Sequence, residues 1–144
     1  MDLAERRIYK MKILFICKHN RFRSRVATSF FNKINKNKKN KAKGAGIYSD
    51  YSYLDKDEVK ISKELGIDIR GKPKKIDSKL LKWQNRVIIV ADNVKKSQIK
   101  DYNKHKITLW KIHDVDDAKD VKKAIKITIK KIMKKVERLV KELR

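Results

Sequence analysis

Cys17 and Arg23 stand six positions apart in the stretch Ile13-Leu14-Phe15-Ile16-Cys17-Lys18-His19-Asn20-Arg21-Phe22-Arg23-Ser24. The stretch opens as an apolar run and closes on polar residues. A phosphate ester resists attack because its oxygens are negative. A catalyst must therefore supply a nucleophile, donors around those oxygens and a proton for the leaving group. Cys17 can be the nucleophile as a thiolate, a form favoured by a helix N-terminus, by Arg23 and by the Ser24 hydroxyl. Backbone N–H groups from Lys18 through His19, Asn20, Arg21 and Phe22 to Arg23 can converge as an anion nest. Arg23 can clamp two phosphate oxygens in bidentate fashion, which lysine cannot reproduce. Asn20 can hold the loop backbone and tolerates the left-handed conformation such a loop needs.

The elements that must position this loop follow from the apolar pattern. Residues 12–17 read as a buried strand and residues 23–36 as a helix, with Val26, Ala27, Phe30, Phe31 and Ile34 on one face. Residues 36–43 read as a solvated basic connection, and Gly44 to Tyr48 as a second strand. A helix is predicted from Leu54 to Leu65, closed by Gly66, and a short one from Asp77 or Ser78 to Gln84. Arg86 to Ala91 carries the β-branched run Val87-Ile88-Ile89-Val90, which suits a central parallel strand. A further helix is expected up to about Tyr102, then a strand over Ile107–Trp110 and an acidic loop from His113 to Asp117. The last helix, about 117–143, carries Val121, Ile125, Ile129, Ile132, Val136, Leu139 and Leu143 as its inner stripe. The alternation predicts a single α/β domain with a four-stranded parallel sheet flanked by helices. Ligands of such sheets bind beyond the carboxyl ends of the strands, which brings the Cys17 loop and the acidic loop together.

The sequence has 144 residues, enough for one domain, and we read residues 1–10 as an extension outside a domain spanning 11–144. No run is long enough for a membrane span, so no membrane insertion is expected and the cytoplasm is the default location. A single cysteine excludes an internal disulfide and any relay that needs a second cysteine in this sequence. The net charge of +24 predicts attraction to polyanions, nucleic acid included, although evenly spread lysines read first as solvated faces. His105 and His113 lack ligand-spaced partners, so neither a metal nor a cofactor is expected. Trp83 and Trp110 read as packing residues, and Asp92, at a strand's carboxyl end, either orients the loop or caps the next helix, the cap being the reading we prefer. Tyr48, Tyr51 and Tyr53 could form an aromatic wall or stand on the surface. The residues alone do not choose among Asp114, Asp116 and Asp117 as proton donor. Asp116 or Asp117 also suits the cap of the last helix.

The Cys-Lys-His-Asn-Arg-Phe-Arg-Ser loop after an apolar strand resembles the signature of low-molecular-weight protein tyrosine phosphatases and of the related thioredoxin-coupled arsenate reductases. Ala45-Gly46, Gly66-Ile67-Asp68-Ile69 and Trp110-Lys111-Ile112-His113-Asp114 resemble further segments of that family, so the likeness covers most of the chain from Met11 onward. It implies a flavodoxin-like fold with the phosphate-binding loop after the first strand. It also implies hydrolysis of phosphomonoesters, protein phosphotyrosine above all, through a phosphocysteine on Cys17. Arg23 would be the clamp and Asp114 the general acid. The substrate would be a phosphorylated protein or a small phosphomonoester. The sequence departs from the family at His19, where phosphatases usually have glycine, at Phe22 in place of a second cysteine, and at Arg25 and Val115 in place of prolines. His19-Asn20 is closer to the arsenate-reductase branch, and Arg21 adds a charge that favours anionic substrates. Two other functions compete with hydrolysis. One is arsenate reduction with an external thiol; the other is anion or nucleic-acid binding without turnover.

Overall fold

The computed structural model describes residues 10–48 and 53–143. Four parallel strands form one sheet in the order β2-β1-β3-β4: β1 (Met11–Cys17), β2 (Asn40–Gly46), β3 (Arg86–Val90) and β4 (Ile107–Trp110). In β1 the side chains from Ile13 to Cys17 are all buried, because the sheet is covered on both faces. Ile13 and Phe15 join Ile88, Val90 and Trp110 in one layer, beneath α1 (Arg23–Ile34), α2 (Lys56–Glu64) and α4 (Val121–Glu142). Leu14 and Ile16 join Val87 and Ile89 in the other, against α3 (Ser78–Trp83) and the segment carrying Val94 and Ile99. Chain order reverses between β1 and β3, so the connections that leave their carboxyl ends diverge and open a crevice there. The predicted fold class is the observed one.

Local signals account for most boundaries. Asp55 accepts from the Glu58 N–H at the start of α2, Asp77 from the Leu80 N–H at α3, and Asp120 from the Lys123 N–H at α4. The cap of the last helix is therefore Asp120, not Asp116 or Asp117. α2 ends at Gly66, whose φ of 81° lets the chain turn without a Cβ penalty. Along α4, Ile125, Ile129, Ile132, Val136 and Leu139 are buried as the stripe predicts. Val121 is 40% exposed, because the first turn overhangs the end of the core.

Two of the expected elements also differ. The basic stretch 36–43 is not all connection: β2 begins at Asn40, with Asn40 and Ala42 buried while Lys41 and Lys43 point outward. Lysine on an edge strand keeps it from pairing with another sheet, so the charge conceals a strand rather than a loop. The helix expected after β3 is instead two short 3₁₀ turns, Lys96–Gln98 and Tyr102–Lys104. Gln98 Oε1 accepts from the Lys95 N–H at 2.8 Å, and Asp101 takes a left-handed φ of 56°. Both favour a local turn over a continuing helix, and the apolar residues Val94 and Ile99 are too widely spaced to give a helical face.

Truncating Ile129, which is fully buried, to alanine is expected to cost about 2–5 kcal/mol in urea denaturation. Val121→Ala is expected to stay within about 0.5 kcal/mol, although the sequence places both residues on one stripe.

Candidate active site

Cys17 ends β1 and Arg23 begins α1, so residues 18–22 must reverse the chain within one tight loop. The turn passes through Asn20 at a φ of 56°, in the left-handed region that asparagine tolerates. Asn20 is buried and its amide holds the loop from within. Its Nδ2 donates to Ser24 Oγ at 2.7 Å, while its Oδ1 accepts from the Lys74 N–H at 3.0 Å and Arg25 Nη1 at 3.4 Å. Ser24 Oγ lies 3.0 Å from Cys17 Sγ. Asn20 occupies one lone pair of the serine oxygen, and a serine hydroxyl proton turned to sulfur gives the polarity that stabilises a thiolate.

Gly46 closes the back of the loop. A Cβ there would stand 2.6 Å from the carbonyl carbon of His19 and 2.7 Å from the Asn20 nitrogen, so only glycine lets β2 approach so closely. Arg25, which stands where the resembled family usually has proline, straps the 69–72 segment to α1. Its Nε donates to the Ile69 carbonyl at 2.6 Å and its Nη1 to the Lys72 carbonyl at 3.3 Å. Burial holds the Arg25 guanidinium below its ordinary pKa. Phe22 precedes α1 and provides no side-chain cap, which leaves the first N–H groups of the helix free of a competing acceptor from that side chain.

Arg23 is 5% exposed, and a buried cation must be paired. Its Nη1 donates to the Ile112 carbonyl at 2.9 Å, and its Nη2 to Asn93 Oδ1 at 3.0 Å and to Asp114 Oδ2 at 3.5 Å. Asp92 Oδ1 lies 4.0 Å from Nη1. Asp92 is thus a partner of Arg23 and not the cap of a following helix. Its Oδ2 also meets His113 Nδ1 at 2.7 Å, and His113 Nε2 lies 3.0 Å from both carboxylate oxygens of Asp117. These bonds, that to Asp92 foremost, raise the pKa of His113 above its ordinary value. The ion pairs of Arg23 and His113 therefore tie the acidic loop to the ends of β1 and β3.

A cleft of about 210 Å³ opens over this arrangement, lined by Cys17, His19, Arg21, Phe22 and Arg23 on one side. Asp55, Glu58, Asp114, Val115, Asp116 and Val121 form the other. Of the three candidate acids, Asp114 and Asp116 line the cleft, and only Asp114 among them reaches Arg23. Asp117 is turned toward His113. Lys18, Asn20 and Ser24 do not line the cleft; Asn20 and Ser24 sit behind it as supports. The His19 ring lies 5.8 Å from that of Tyr48, which is 45% exposed and outside the cleft. Tyr53 is 80% exposed, and Tyr51 lies outside the described residues, as do residues 1–9 of the expected extension. Trp110 packs on Phe15 at 5.6 Å as expected, whereas Trp83 is half-buried under Lys43. His105 pairs with Gln84 away from the site. Among the described residues, no group of three or more His, Cys, Asp or Glu side chains could hold a metal ion. No helix among them is long and apolar enough to cross a membrane.

Two site residues escape sequence reasoning. Asn93 could have been found, since it follows Asp92 at the carboxyl edge of a central strand. Glu58 gives no signal, because a glutamate in the first turn of an amphipathic helix normally faces water. Here it is 8% exposed. Burial first, then Asp55, Asp116 and Asp114, push its pKa up to about 8.

Residues 12–144 match the family model described as low molecular weight phosphotyrosine protein phosphatase, and the chain belongs to that family. It is accordingly a phosphoric monoester hydrolase, of a family that acts on phosphorylated proteins or small phosphate substrates. The low-molecular-weight protein tyrosine phosphatase of T. tengcongensis is 25% identical, with a TM-score of 0.77 over 92% of this chain and 99% of that one. The YwlE arginine phosphatase of Geobacillus stearothermophilus shares the fold at 18% identity and a TM-score of 0.76, over 92% of each chain. So does the arsenate reductase of Archaeoglobus fulgidus, at 23% and 0.72, over 89% of this chain and 98% of that one. Among curated protein sequences, none matches this chain.

Glu58 binds its proton more tightly folded than unfolded, with a pKa of about 8 against 4.5. Its contribution to stability is full below pH 4.5 and is lost as pH rises toward 8. Glu58→Gln is therefore expected to match wild type near pH 4 and to exceed it by on the order of 2–4 kcal/mol at pH 9, read from urea melts. Gly46→Ala is expected to remain folded by circular dichroism but to lose at least about ten-fold in kcat/KM for an aryl phosphate, because the loop must shift by a fraction of an ångström.

Proposed function

We propose that this chain hydrolyses phosphomonoesters through a phosphocysteine on Cys17, with phosphotyrosine in proteins as a physiological substrate. The observation that supports it is the convergence of Cys17, Arg23 and Asp114 on one cleft, with Arg23 3.5 Å from Asp114. Cys17 Sγ attacks phosphorus in line with the leaving oxygen. Arg23 and the loop's backbone N–H groups, from Lys18, His19, Asn20, Arg21, Phe22 and Arg23 itself, take the charge of the equatorial oxygens. Ser24 stabilises the thiolate as it is attacked and as it leaves again. Asp114 gives its proton to the leaving oxygen, then takes one from the water that attacks the phosphocysteine, which returns the enzyme to its starting state. Arg23 has two tasks, since the guanidinium that meets the phosphoryl group also holds the acid in reach.

We place this activity in residues 11–144, with the first ten residues outside the catalytic domain, and in the cytoplasm. The net charge of +24 supports polyanion binding beside catalysis, which an electrophoretic shift steeply weakened by salt would detect. Arsenate reduction is the second reading, favoured by the shared loop. With one cysteine in the sequence it requires an external thiol to close the relay.

Cys17→Ser is expected to lower kcat on p-nitrophenyl phosphate by about 10⁴-fold or more. Arg23→Lys is expected to lose about 10²–10³-fold, since a point charge does not replace a fork. Asp114→Asn is expected to lose about 10²-fold on phenyl phosphate and less on p-nitrophenyl phosphate, whose leaving group needs no proton. Asp116→Asn and Asp117→Asn are expected to stay within about ten-fold. Turnover that survives Cys17→Ser would refute the mechanism.

A further inference from the structure

A second cavity, of about 530 Å³, lies on the reverse side of the Cys17 loop, between α1, β2, the 68–74 segment and α3. Four cations line it, Arg25, Lys43, Lys72 and Lys74, against one carboxylate, Asp68. Both oxygens of Asp68 are already engaged by Arg70, at 3.0 and 2.9 Å, so its attraction for Arg25 acts only at a distance. The Arg25 guanidinium is half-buried, and among the described residues its hydrogen bonds go to neutral acceptors: the Ile69 and Lys72 carbonyls and Asn20 Oδ1. Like charges gathered around a cavity repel one another, and a multivalent anion placed among them relieves that repulsion.

We propose that this cavity is a regulatory site for small oligophosphate anions, inorganic or nucleoside-linked, and that their binding lowers the reactivity of Cys17 through Arg25 and Asn20. Linked phosphates meet several of the cations at once, which orthophosphate does not. Ile69 and Leu80 add an apolar part to the lining, suited to a nucleoside. The cavity also has room that the Cys17 cleft lacks, about 530 Å³ against about 210 Å³. Its connection to sulfur is short. Asn20 lines this cavity and not the cleft. Asn20 Oδ1 accepts from the Lys74 N–H at 3.0 Å and from Arg25 Nη1 at 3.4 Å, and its Nδ2 donates to Ser24 Oγ, 3.0 Å from Cys17 Sγ. The Arg25 bond is the longest of this chain and so the easiest to break. Arg25 and Cys17 also attract each other by charge. An anion that pairs with the guanidinium cancels that attraction and draws Nη1 from Asn20, which loosens the support of Ser24. By linkage, whatever reacts with the thiol weakens the hold on the anion by the same factor. The site stands apart from the hydrolysis reading, because alkylation follows the thiol directly.

The test uses the full chain at physiological ionic strength, where diffuse attraction is screened. Tripolyphosphate, ATP and orthophosphate are titrated separately, with p-nitrophenyl phosphate turnover and Cys17 alkylation by iodoacetamide as readouts. Tripolyphosphate or ATP at saturation is expected to lower kcat by about five-fold or more, and to slow alkylation. Orthophosphate is expected to act through KM alone, by competition at the cleft. The tripolyphosphate and ATP arms identify which source of the anion is preferred. The double variant Lys72→Gln with Lys74→Gln, which keeps the backbone that holds Asn20, is expected to raise the half-saturating concentration by about ten-fold or more while orthophosphate competes as before. Lys130→Gln with Lys134→Gln, an equal loss of charge on exposed positions of α4, is expected to leave the kcat effect in place. Inhibition through KM alone overturns the proposal, as does a kcat effect that the α4 variant weakens as much as the cavity variant does. If p-nitrophenyl phosphate is not hydrolysed at all, the hydrolysis reading fails and alkylation decides this one. Slowing that the cavity variant abolishes upholds it; slowing that the variant retains, or none, overturns it.

Discussion

The buried guanidinium of Arg23 is the constraint on which the rest of the site depends. A cation that is 5% exposed cannot remain without partners, and it draws them from two separate parts of the chain: Asp92 with Asn93 after β3, and the Ile112 carbonyl with Asp114 after β4. These meet only where the carboxyl ends of β1, β3 and β4 lie side by side. The parallel sheet therefore supplies the site's geometry, and Arg23 fixes the acidic loop against it. His113 adds a second tie on the exposed side, between Asp92 and Asp117, where water screens it and its strength is small.

Behind the cleft, Cys17 depends on a second chain of contacts. Backbone of the 72–75 segment holds Asn20, Asn20 orients Ser24, and Ser24 faces Cys17. The left-handed Asn20 and the bare α-carbon of Gly46 make that chain sterically possible. One end of it is a sulfur 3.0 Å from the Ser24 hydroxyl; the opposite wall of the cleft holds carboxyl groups that repel negative charge. The cleft thus has a sign gradient across a few ångströms, inside a molecule whose overall field is strongly positive. Overall charge governs the approach of a partner at a distance, whereas the local arrangement governs what is held once it arrives.

Much of the fold was legible in the residues. The β-branched runs announced the buried strands, and Asp55, Asp77 and Gly66 marked helix ends through local hydrogen bonds and backbone freedom. The stripe on α4 held apart from Val121, whose exposure depends on how far the core extends. The misses share a cause. β2 was hidden because an edge strand carries its lysines outward while pairing through its backbone, and backbone pairing leaves little trace in composition. The 3₁₀ turns after β3 replaced a helix because Gln98 and Asp101 satisfied the backbone locally. Asp92 looked like a cap because its true partners, Arg23 and His113, lie 69 and 21 positions away.

The sequence by itself determined the Cys17 loop, since strand, turn and helix there are contiguous and each requirement is local: the apolar run, the left-handed asparagine, the arginine one helical start later. It also determined that the thiol has no cysteine partner in this sequence. The tertiary structure alone decided which acid reaches Arg23, and that Asn93 completes the pairing of the guanidinium. It also decided that Glu58, an ordinary helix glutamate by its neighbours in sequence, is buried in the wall of the cleft that holds Cys17. Charge pairing and desolvation act through space, and only the packed sheet edge brings these groups within their reach.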